Sequence, residues 1–347
     1  MSNSQISTNK SFTVAKSGNN YAYIHHPPSN PSKPTVLFLH GFPSTAHDWR
    51  HQVPYLTSLG YGVLAPDLLG YGSSSKPLDV EPYIGSSMAA DIVSLLDYEG
   101  IRTVVGVGHD WGTYLLSQLI IWFPERVERC VFVSVPFHVP GRKTDAKAVN
   151  DKSKKALGFE LLGYWMFLTA PGAGRTIGDN WEVFYDLVYC ADASLWKTHW
   201  AGLGAMESTL KTLTPSSSSK HLAPWTTPSD KTHHHNSFGN DYSPTLNWYH
   251  RGISSLGVDA EISALKEGKI SSKIDIPTLM IGGTKDVVCD ATHARKVMQS
   301  SVEREKLKVV DLETGHWINL EEKEKFNEVL REWLEETSGE GGARPKL

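Results

Sequence analysis

The pentapeptide Gly108-His109-Asp110-Trp111-Gly112 places an acid between an apolar run, residues 103–107, and a run with helical spacing, residues 113–123. In the G-x-S-x-G motif, a strand turns so sharply into a helix that small residues are needed two positions either side of the nucleophile. Gly108 and Gly112 supply those small residues. The pattern therefore predicts a nucleophile elbow in which aspartate takes the place of serine.

The aspartate in place of serine predicts which kind of carbon atom the site attacks. A carboxylate that attacks an acyl carbon gives an anhydride, whereas attack on a saturated carbon with a leaving group gives an alkyl ester that water can cleave. Epoxides and alkyl halides are substrates of the second kind. With an ordinary pKa of about 3.9, Asp110 is ionised at neutral pH and needs no activating base. The alternative is an ordinary helix N-cap, so the rest of the chain must decide.

An ester intermediate needs a base that activates water, and His316 stands in a suitable place. It lies in Glu313-Thr314-Gly315-His316-Trp317, directly after a predicted strand over residues 307–312. A loop at this point carries the side chain to the carboxyl edge of a parallel sheet. An imidazole with an ordinary pKa of about 6.5 is mostly neutral at physiological pH, and we expect it to take a proton from water.

The histidine in turn needs an acid that fixes its tautomer. In the chain order of this motif, the acid falls between the nucleophile and the histidine. Asp286 follows a predicted strand over residues 278–281 and fits this position. Asp290 is the second candidate, because spacing does not give loop conformation. Either residue could instead cap a helix that begins near residue 291.

Ester hydrolysis also requires backbone N–H groups where negative charge develops. We expect one from Trp111, directly after the nucleophile, and one from Phe42 in His40-Gly41-Phe42-Pro43, which follows a predicted strand over residues 36–39. We predict that Pro43 is in the cis form and shapes this turn.

The elements that carry these residues alternate between strand and helix. Short apolar runs predict strands over residues 36–39, 62–65, 103–107, 127–135, 278–281 and 307–312. Helical spacing covers residues 86–98, 113–123, 291–299 and 323–336. We therefore predict an α/β fold with a mostly parallel, doubly wound sheet. Residues 1–136 and 257–347 form the predicted core.

Residues 137–256 break the alternation and predict an inserted helical cap, rich in Trp, Tyr and Leu. Within it, residues 214–244 are dense in Ser, Pro, Thr and His, and we predict a long loop there. His233-His234-His235 falls in this predicted loop, and we assign it to solvent because no partner ligands stand at useful spacing.

Composition narrows the class of protein. The 347 residues, with 40% hydrophobic and 21% charged side chains, suit one large globular core with an insertion. A net charge of -4 gives no general attraction to nucleic acid or anionic membrane, so we expect neither partner and a small neutral substrate. Three widely spaced cysteines argue against disulfides or a zinc site, and we expect no metal and no cofactor.

The expected location is the cytoplasm. No signal-peptide pattern or uninterrupted apolar run of about 18 residues is present. The ending Pro345-Lys346-Leu347 differs at one position from the Ser-Lys-Leu peroxisomal address, which makes the peroxisome a weaker alternative. The oligomeric state stays open, with a homodimer as one alternative.

Taken together, these motifs resemble the α/β-hydrolase fold epoxide hydrolases, over about residues 35–335. The resemblance implies two cap tyrosines that hydrogen-bond the epoxide oxygen. Tyr164 in Gly163-Tyr164-Trp165 and Tyr249 in Leu246-Asn247-Trp248-Tyr249-His250-Arg251 match them. A phenol with an ordinary pKa of about 10 stays protonated at neutral pH and can donate to the alkoxide of an opening ring. The implied product is a vicinal diol.

Two alternatives remain. Haloalkane dehalogenases typically have Asn where this chain has Phe42, and haloacetate dehalogenases have Arg where it has Trp111. A ligand-binding protein that keeps the fold without activity is an alternative of another class. The residues expected to contact substrate are His40, Pro43, Phe137, Trp165 and Trp248. Thr113, where the family generally has a small residue, is a departure that bears on pocket shape.

Overall fold

The computed structural model describes residues 10–339. Its centre is an eight-stranded sheet in the order β1-β2-β4-β3-β5-β6-β7-β8. The strands are β1 (Lys10–Thr13), β2 (Asn20–His26), β3 (Thr35–Leu39), β4 (Gly62–Pro66), β5 (Val104–His109), β6 (Val127–Val133), β7 (Thr278–Gly283) and β8 (Leu307–Leu312). β2 runs antiparallel to β1 and β4, and every pairing from β4 to β8 is parallel. The predicted fold class is confirmed.

The interior strands are apolar throughout because helices cover both faces of the sheet. All five residues of β3 are buried, with Leu37 and Leu39 in one hydrophobic cluster and Val36 and Phe38 in another. Alternate side chains of a strand point to opposite faces. Each cluster is therefore the core on one side of the sheet, and a continuous apolar run is the sequence pattern that such a strand requires.

Sixteen helices are described. The first three are α1 (Gln52–Ser58), α2 (Gly85–Tyr98) and α3 (Trp111–Trp122). Between β6 and β7 lie α4 (Ala146–Leu157), α5 (Gly163–Leu168), α6 (Ala173–Asp179), α7 (Trp181–Val188), α8 (Leu195–His199), α9 (Ala205–Thr212), α10 (Pro215–Ser218), α11 (Pro228–Phe238), α12 (Ser243–Ser254) and α13 (Val258–Lys266). The last three are α14 (Ala291–Ser301), α15 (Ile318–Glu321) and α16 (Lys323–Glu336).

The six predicted strands are confirmed, with ends that move by at most two residues. β1 and β2 were not predicted. β2 reads Asn-Tyr-Ala-Tyr-Ile-His-His and has polar ends, so it lacks the continuous apolar run that marks the interior strands. It lies towards the edge of the sheet, where its antiparallel pairing does not require burial of every residue.

The long loop predicted over residues 214–244 is wrong, because α10 and α11 lie within it. The start of α11 explains the error. Thr227 Oγ1 accepts a hydrogen bond from the Asp230 N–H at 3.2 Å, and Asp230 Oδ2 accepts one from the Thr227 N–H at 2.9 Å. This reciprocal capping box, with Pro228 at the first helical position, starts a helix that has no clear apolar period.

The three consecutive histidines lie on α11 and pack against aromatic rings, which corrects their assignment to solvent. The His233 ring stacks on His47 at 4.2 Å, and the His235 ring stacks on Trp181 at 4.1 Å. His234 is buried, and its Nε2 lies 2.8 Å from the Tyr242 hydroxyl. Through these contacts α11 packs against the segments that carry His47, Trp181 and Tyr242.

In the part of the chain from residue 10 to residue 339, no helix is both long enough and apolar enough to cross a membrane. The C-terminal tripeptide considered as a targeting signal lies outside the described residues.

Candidate active site

The carboxyl ends of β3, β5, β7 and β8 meet at one edge of the sheet, and the predicted site residues lie in the loops that leave this edge. Asp110 stands between β5 and α3 with φ 51° and ψ -122°, an unusual backbone conformation for a residue with a side chain. A Cβ on Gly112 would collide with the backbone of Leu39, and one on Gly108 would lie 2.7 Å from the Gly112 carbonyl oxygen. The two glycines are therefore required by close backbone contacts, as the elbow motif predicts.

Thr113 fits into the elbow without displacing it. Its N–H and its Oγ1 donate to the Asp110 carbonyl oxygen at 3.0 Å and 2.7 Å, respectively. Thr113 is fully buried. The departure from a small residue thus adds a side-chain hydrogen bond to the backbone of Asp110.

The Asp110 carboxylate has a backbone donor on one oxygen and an imidazole near the other. The Phe42 N–H donates to Oδ1 at 2.8 Å, and His316 Nε2 lies 3.6 Å from Oδ2. The Asp110 side chain is 19% exposed, compared with 4% for His316. The carboxylate is therefore the member of this group that faces open space.

His316 contacts Asp286 on its other side. His316 Nδ1 donates to Asp286 Oδ2 at 2.7 Å, and Asp286 Oδ1 accepts the N–H groups of Val288 and Cys289, both at 3.0 Å. Asp290 instead caps α14, because its Oδ1 accepts the His293 N–H at 2.7 Å. Of the two acids that spacing left open, Asp286 is the one that contacts the histidine.

Two polar side chains that sequence reasoning missed hold the His316 backbone. The carbonyl oxygen of His316 accepts from His109 Nε2 at 2.9 Å and from Ser134 Oγ at 3.0 Å. His109 is part of the elbow pentapeptide, so the elbow and the loop that carries His316 are joined directly. No pattern in the sequence marks this contact, because 207 residues separate the two histidines.

Neighbouring charges shift the pKa values of Asp110 and His316. Burial raises the pKa of Asp110, but the hydrogen bond and positive charge of His316 outweigh this effect and hold the pKa below its ordinary value. Burial alone would lower the pKa of His316, but the Asp286 and Asp110 carboxylates raise it to about 10. The two carboxylates therefore favour the protonated imidazole in the resting protein, in contrast to the neutral ring expected from the ordinary pKa.

The turn that carries Phe42 is fixed by His40, whose buried ring has both nitrogens engaged. Nδ1–H donates to the Gly41 carbonyl oxygen at 2.9 Å, and Nε2 accepts the Leu68 N–H at 2.9 Å. Both ring nitrogens are thus bonded to the protein backbone, and substrate contact by His40 stays a prediction. The Phe42–Pro43 peptide is cis, as predicted. The role of the Trp111 N–H as a second donor stays a prediction.

The two cap tyrosines lie together over the elbow. Tyr164 on α5 and Tyr249 on α12 have ring centroids 6.0 Å apart, and the Tyr249 ring lies 5.0 Å from that of Phe42. Burial raises the pKa of both phenols well above the ordinary value, and the Asp110 charge adds to this effect. Both therefore remain protonated near the carboxylate.

Two other residues predicted to contact the substrate, Trp165 and Trp248, differ in how they lie relative to the site. Trp165 lies 5.5 Å, between ring centroids, from both Trp111 and Tyr249. Trp248 is fully buried and donates through Nε1 to the Leu69 carbonyl oxygen at 2.9 Å, so it has no exposed surface for a substrate. The prediction for Trp248 is therefore wrong, because the ring lies behind the site as packing.

Phe137 and Pro43 make other contacts in the structure. Phe137 lines a cavity of about 250 Å³ beside α3 and α12. The Pro43 carbonyl oxygen accepts a hydrogen bond from the Tyr189 hydroxyl at 3.0 Å. Substrate contact by either residue stays a prediction.

Cys289 is close to the site, although the sequence identified it only as an unpaired cysteine. Among the residues described, its Sγ forms a group with one donor atom each from Asp286 and His316, all within 4.8 Å of one another. Burial and the Asp286 charge raise the pKa of the thiol well above its ordinary value. The thiol is therefore neutral, and Asp286 and His316 already bond to each other.

An eight-stranded sheet with an aspartate elbow, a late histidine and its acid defines a protein of the α/β-hydrolase fold with a carboxylate in the nucleophile position. A family model for the alpha/beta hydrolase fold matches residues 34–152. Epoxide hydrolase A of Mycobacterium tuberculosis is 29% identical over 88% of this chain and 91% of its own length. The bifunctional epoxide hydrolase 2 of Mus musculus is 26% identical over 88% of this chain, which spans about half (52%) of that protein.

Solved structures of epoxide hydrolases are also similar to this chain. The crystal structure of epoxide hydrolase A from Mycobacterium thermoresistibile has a TM-score of 0.75 at 25% identity, covering 94% of this chain and 98% of that chain. An epoxide hydrolase from Vigna radiata has a TM-score of 0.71 at 26% identity, with the same coverage of both chains. The chain therefore has the α/β-hydrolase fold, and over most of its length it is similar to epoxide hydrolases.

Proposed function

We propose that this protein converts an epoxide and water into a vicinal diol through a covalent alkyl ester on Asp110. One observation carries the proposal: the elbow carboxylate has a backbone donor on Oδ1, His316 near Oδ2 and an exposed face towards the cap. The two buried tyrosines supply protons that a halide leaving group does not need. The cap, residues 137–256, completes the proposed site because it carries Tyr164 and Tyr249.

In the first step, Asp110 attacks a carbon of the epoxide ring. The Phe42 N–H occupies Oδ1, so Oδ2 is the oxygen that bonds to carbon. The C–O bond of the ring breaks, and its electron pair remains on the epoxide oxygen as an alkoxide. Tyr164 and Tyr249 hydrogen-bond this oxygen, and one of them transfers its proton as the charge grows.

Ester formation changes the protonation of His316. Asp110 loses its negative charge when it becomes an ester, so one of the two carboxylates that raise the pKa of His316 is removed. The imidazolium then releases its Nε2 proton through solvent to the tyrosinate left by the first step, which restores the phenol. Asp286 still accepts the hydrogen bond from Nδ1–H, which leaves Nε2 as the base.

In the second step, His316 Nε2 takes a proton from water, and the resulting hydroxide attacks the ester carbonyl carbon of Asp110. Negative charge develops on Oδ1, where the Phe42 N–H already donates. Collapse of the tetrahedral intermediate expels the diol oxygen, which takes the proton from His316. The carboxylic acid left on Asp110 then gives its own proton to the imidazole, which restores the resting state. The oxygen of the water remains in the Asp110 carboxylate.

A single turnover in water enriched with heavy oxygen tests this route. We expect the label in the peptide that contains Asp110 after the first turnover, and in the diol only in later turnovers. Mass spectrometry of the digested protein and of the diol measures both. Label in the first diol with none in the protein would mean that water attacks the ring directly.

A further inference from the structure

The end of cap helix α7 contacts the turn that carries Phe42. Tyr189 follows the last residue of α7, and its buried hydroxyl donates to the Pro43 carbonyl oxygen at 3.0 Å. The same hydroxyl lies 3.3 Å from Asp48 Oδ2. Phe42 directly precedes Pro43, and its N–H donates to Asp110 Oδ1 at 2.8 Å. A phenol of the cap is therefore bonded to the residue next to the donor that reaches the nucleophile.

A second hydrogen bond holds the same turn. Ser44, the residue after Pro43, donates through Oγ to Asp48 Oδ2 at 2.6 Å. The Asp48 carboxylate therefore lies between the hydroxyls of Ser44 and Tyr189, and all three residues are buried. Buried hydrogen bonds restrict motion because water cannot replace a partner that moves away. We call Tyr189, Asp48 and Ser44 the turn cluster.

The core holds the other side of this turn. His40 lies two residues before Phe42, and both of its ring nitrogens are bonded to backbone groups. The Phe42 N–H thus lies between a contact from the core and a contact from the cap. Removal of the Tyr189 hydroxyl leaves the first contact and removes the second. We therefore expect the N–H to move relative to Asp110 while the fold is retained.

The same end of α7 also contacts the loop that carries the base. Trp317, the residue after His316, donates through Nε1 to the Val188 carbonyl oxygen at 2.9 Å. The centroid of its ring lies 4.7 Å from that of the Tyr189 ring. Val188 and Tyr189 therefore contact both of the loops that the second step of the proposed reaction uses.

We propose that the turn cluster positions the Phe42 N–H against Asp110 Oδ1 for the second chemical step, with Tyr189 as the contribution of the cap. This inference rests on the proposed function and adds positioning residues to it. In the first step the negative charge on Asp110 decreases, so this N–H contributes little to the rate. In the second step negative charge develops on Oδ1, and a displaced donor stabilises it less. The two steps should therefore respond differently when the cluster is weakened.

Tyr189→Phe tests the proposal, because it removes the hydroxyl and keeps the ring beside Trp317. With styrene oxide as the probe, we expect ester hydrolysis to slow about tenfold, less than outright loss of an oxyanion donor causes, and ester formation to keep its wild-type rate. Rapid-quench mass spectrometry measures the two rates separately. Tyr185→Phe is the matched control and should change neither rate. Its ring lies 4.7 Å from that of Tyr189 on the same helix, and among the described residues its hydroxyl makes no hydrogen bond to the turn.

Two outcomes of this experiment would overturn the proposal: equal slowing of both steps, which indicates a structural role, or an unchanged rate of ester hydrolysis. Ser44→Ala is a second variant, which weakens the cluster and keeps Tyr189. It should also slow ester hydrolysis selectively. The double variant should slow that step by less than the product of the two single effects, because both side chains act on one turn. Effects that multiply would show that the two residues act independently, against the proposal.

Amide hydrogen exchange of the resting protein distinguishes failure of this inference from failure of the proposed function. Without substrate, Tyr189→Phe should raise the exchange rate of the Phe42 N–H about three- to tenfold, as expected for loss of one hydrogen bond, and Tyr185→Phe should not. If this change occurs but no ester forms on Asp110, the proposed function fails and the positioning of Phe42 is supported. If the ester forms and is hydrolysed but the exchange rate of Phe42 does not change, the inference fails.

Discussion

His316 Nδ1 lies 2.7 Å from Asp286 Oδ2, and this contact turns Nε2 towards the carboxylate of the elbow. The imidazole therefore lies between two carboxylates. Its charge depends on both of them, and one of them changes during the proposed reaction. The protonation of His316 thus connects the two chemical steps.

The first prediction concerns this protonation. NMR titration of the free protein should show that His316 keeps both ring protons through neutral pH and loses one near pH 10, because Asp286 and Asp110 stabilise the imidazolium. In Asp286→Asn, which removes the leading charge, the titration should move towards neutral pH. A wild-type titration near pH 6.5 would show that the carboxylates do not stabilise the cation.

Replacement of the base should stop the reaction at the ester. His316→Gln leaves Asp110 able to attack but removes the group that activates water, so ester hydrolysis should slow by about 10² to 10⁴-fold. Intact-protein mass spectrometry should show protein heavier by one substrate mass. His26→Gln, on an exposed histidine of β2, is the control and should remain unmodified. An inactive His316→Gln protein without added mass would contradict the role of His316 as water activator.

The cap tyrosines should affect only the first step. Tyr249→Phe or Tyr164→Phe removes one of two donors to the alkoxide, and we expect the rate of ester formation to fall about 10 to 100-fold, with a larger loss in the double variant. Rapid-quench mass spectrometry measures this rate separately from ester hydrolysis, which should not change. Tyr98→Phe, on an exposed tyrosine, is the control. Equal slowing of both steps would indicate a structural role.

Gly41 lies directly against the Asp110 side chain, and this contact gives a steric prediction. A Cβ on Gly41 would overlap the Asp110 side chain, so Gly41→Ala should displace the carboxylate and abolish activity. The expected loss in the free energy of unfolding is about 1 to 3 kcal/mol, as for other overpacked interiors. In Gly202→Ala the new Cβ would approach no atom closer than 3.7 Å, and activity should be retained. Denaturation and turnover assays on both variants distinguish the two effects.

Buried neutral histidines predict loss of stability in acid. Burial lowers the pKa of His40 and His234 to about 3 and that of His109 to about 4. Each gains a proton on unfolding at a pH between its folded value and the unfolded value of about 6.5. Their contribution to stability is therefore complete above pH 6.5 and is lost as the pH falls towards 4, at about 1.4 kcal/mol per pH unit for each histidine.

Urea denaturation at several pH values measures this slope. His234→Phe keeps an aromatic ring against Tyr185 and Phe238 but cannot bind a proton, so its slope should be smaller by about one histidine. A variant with the wild-type slope would show that His234 does not contribute to acid lability.

The sequence predicted most where local structure alone sets the geometry. The elbow glycines, the strand that precedes Asp110 and the loop position of His316 all follow from short segments. Short segments could not show whether Asp286 or Asp290 contacts His316. That choice depends on which carboxylate points towards His316, which lies 30 residues from Asp286 in the sequence. The error over residues 214–244 has a similar cause, since the packing of His234 against rings from other helices is not visible in local periodicity.

By itself, the sequence determined the six predicted strands and the place of Asp110 in the elbow, because backbone conformation and burial impose patterns on neighbouring residues. Only the tertiary structure decided which acid contacts His316 and how two carboxylates change the pKa of that histidine. These properties depend on distances between residues far apart in the chain. Electrostatic interactions and hydrogen bonds act through space, so their strength is fixed only when the fold brings the groups together.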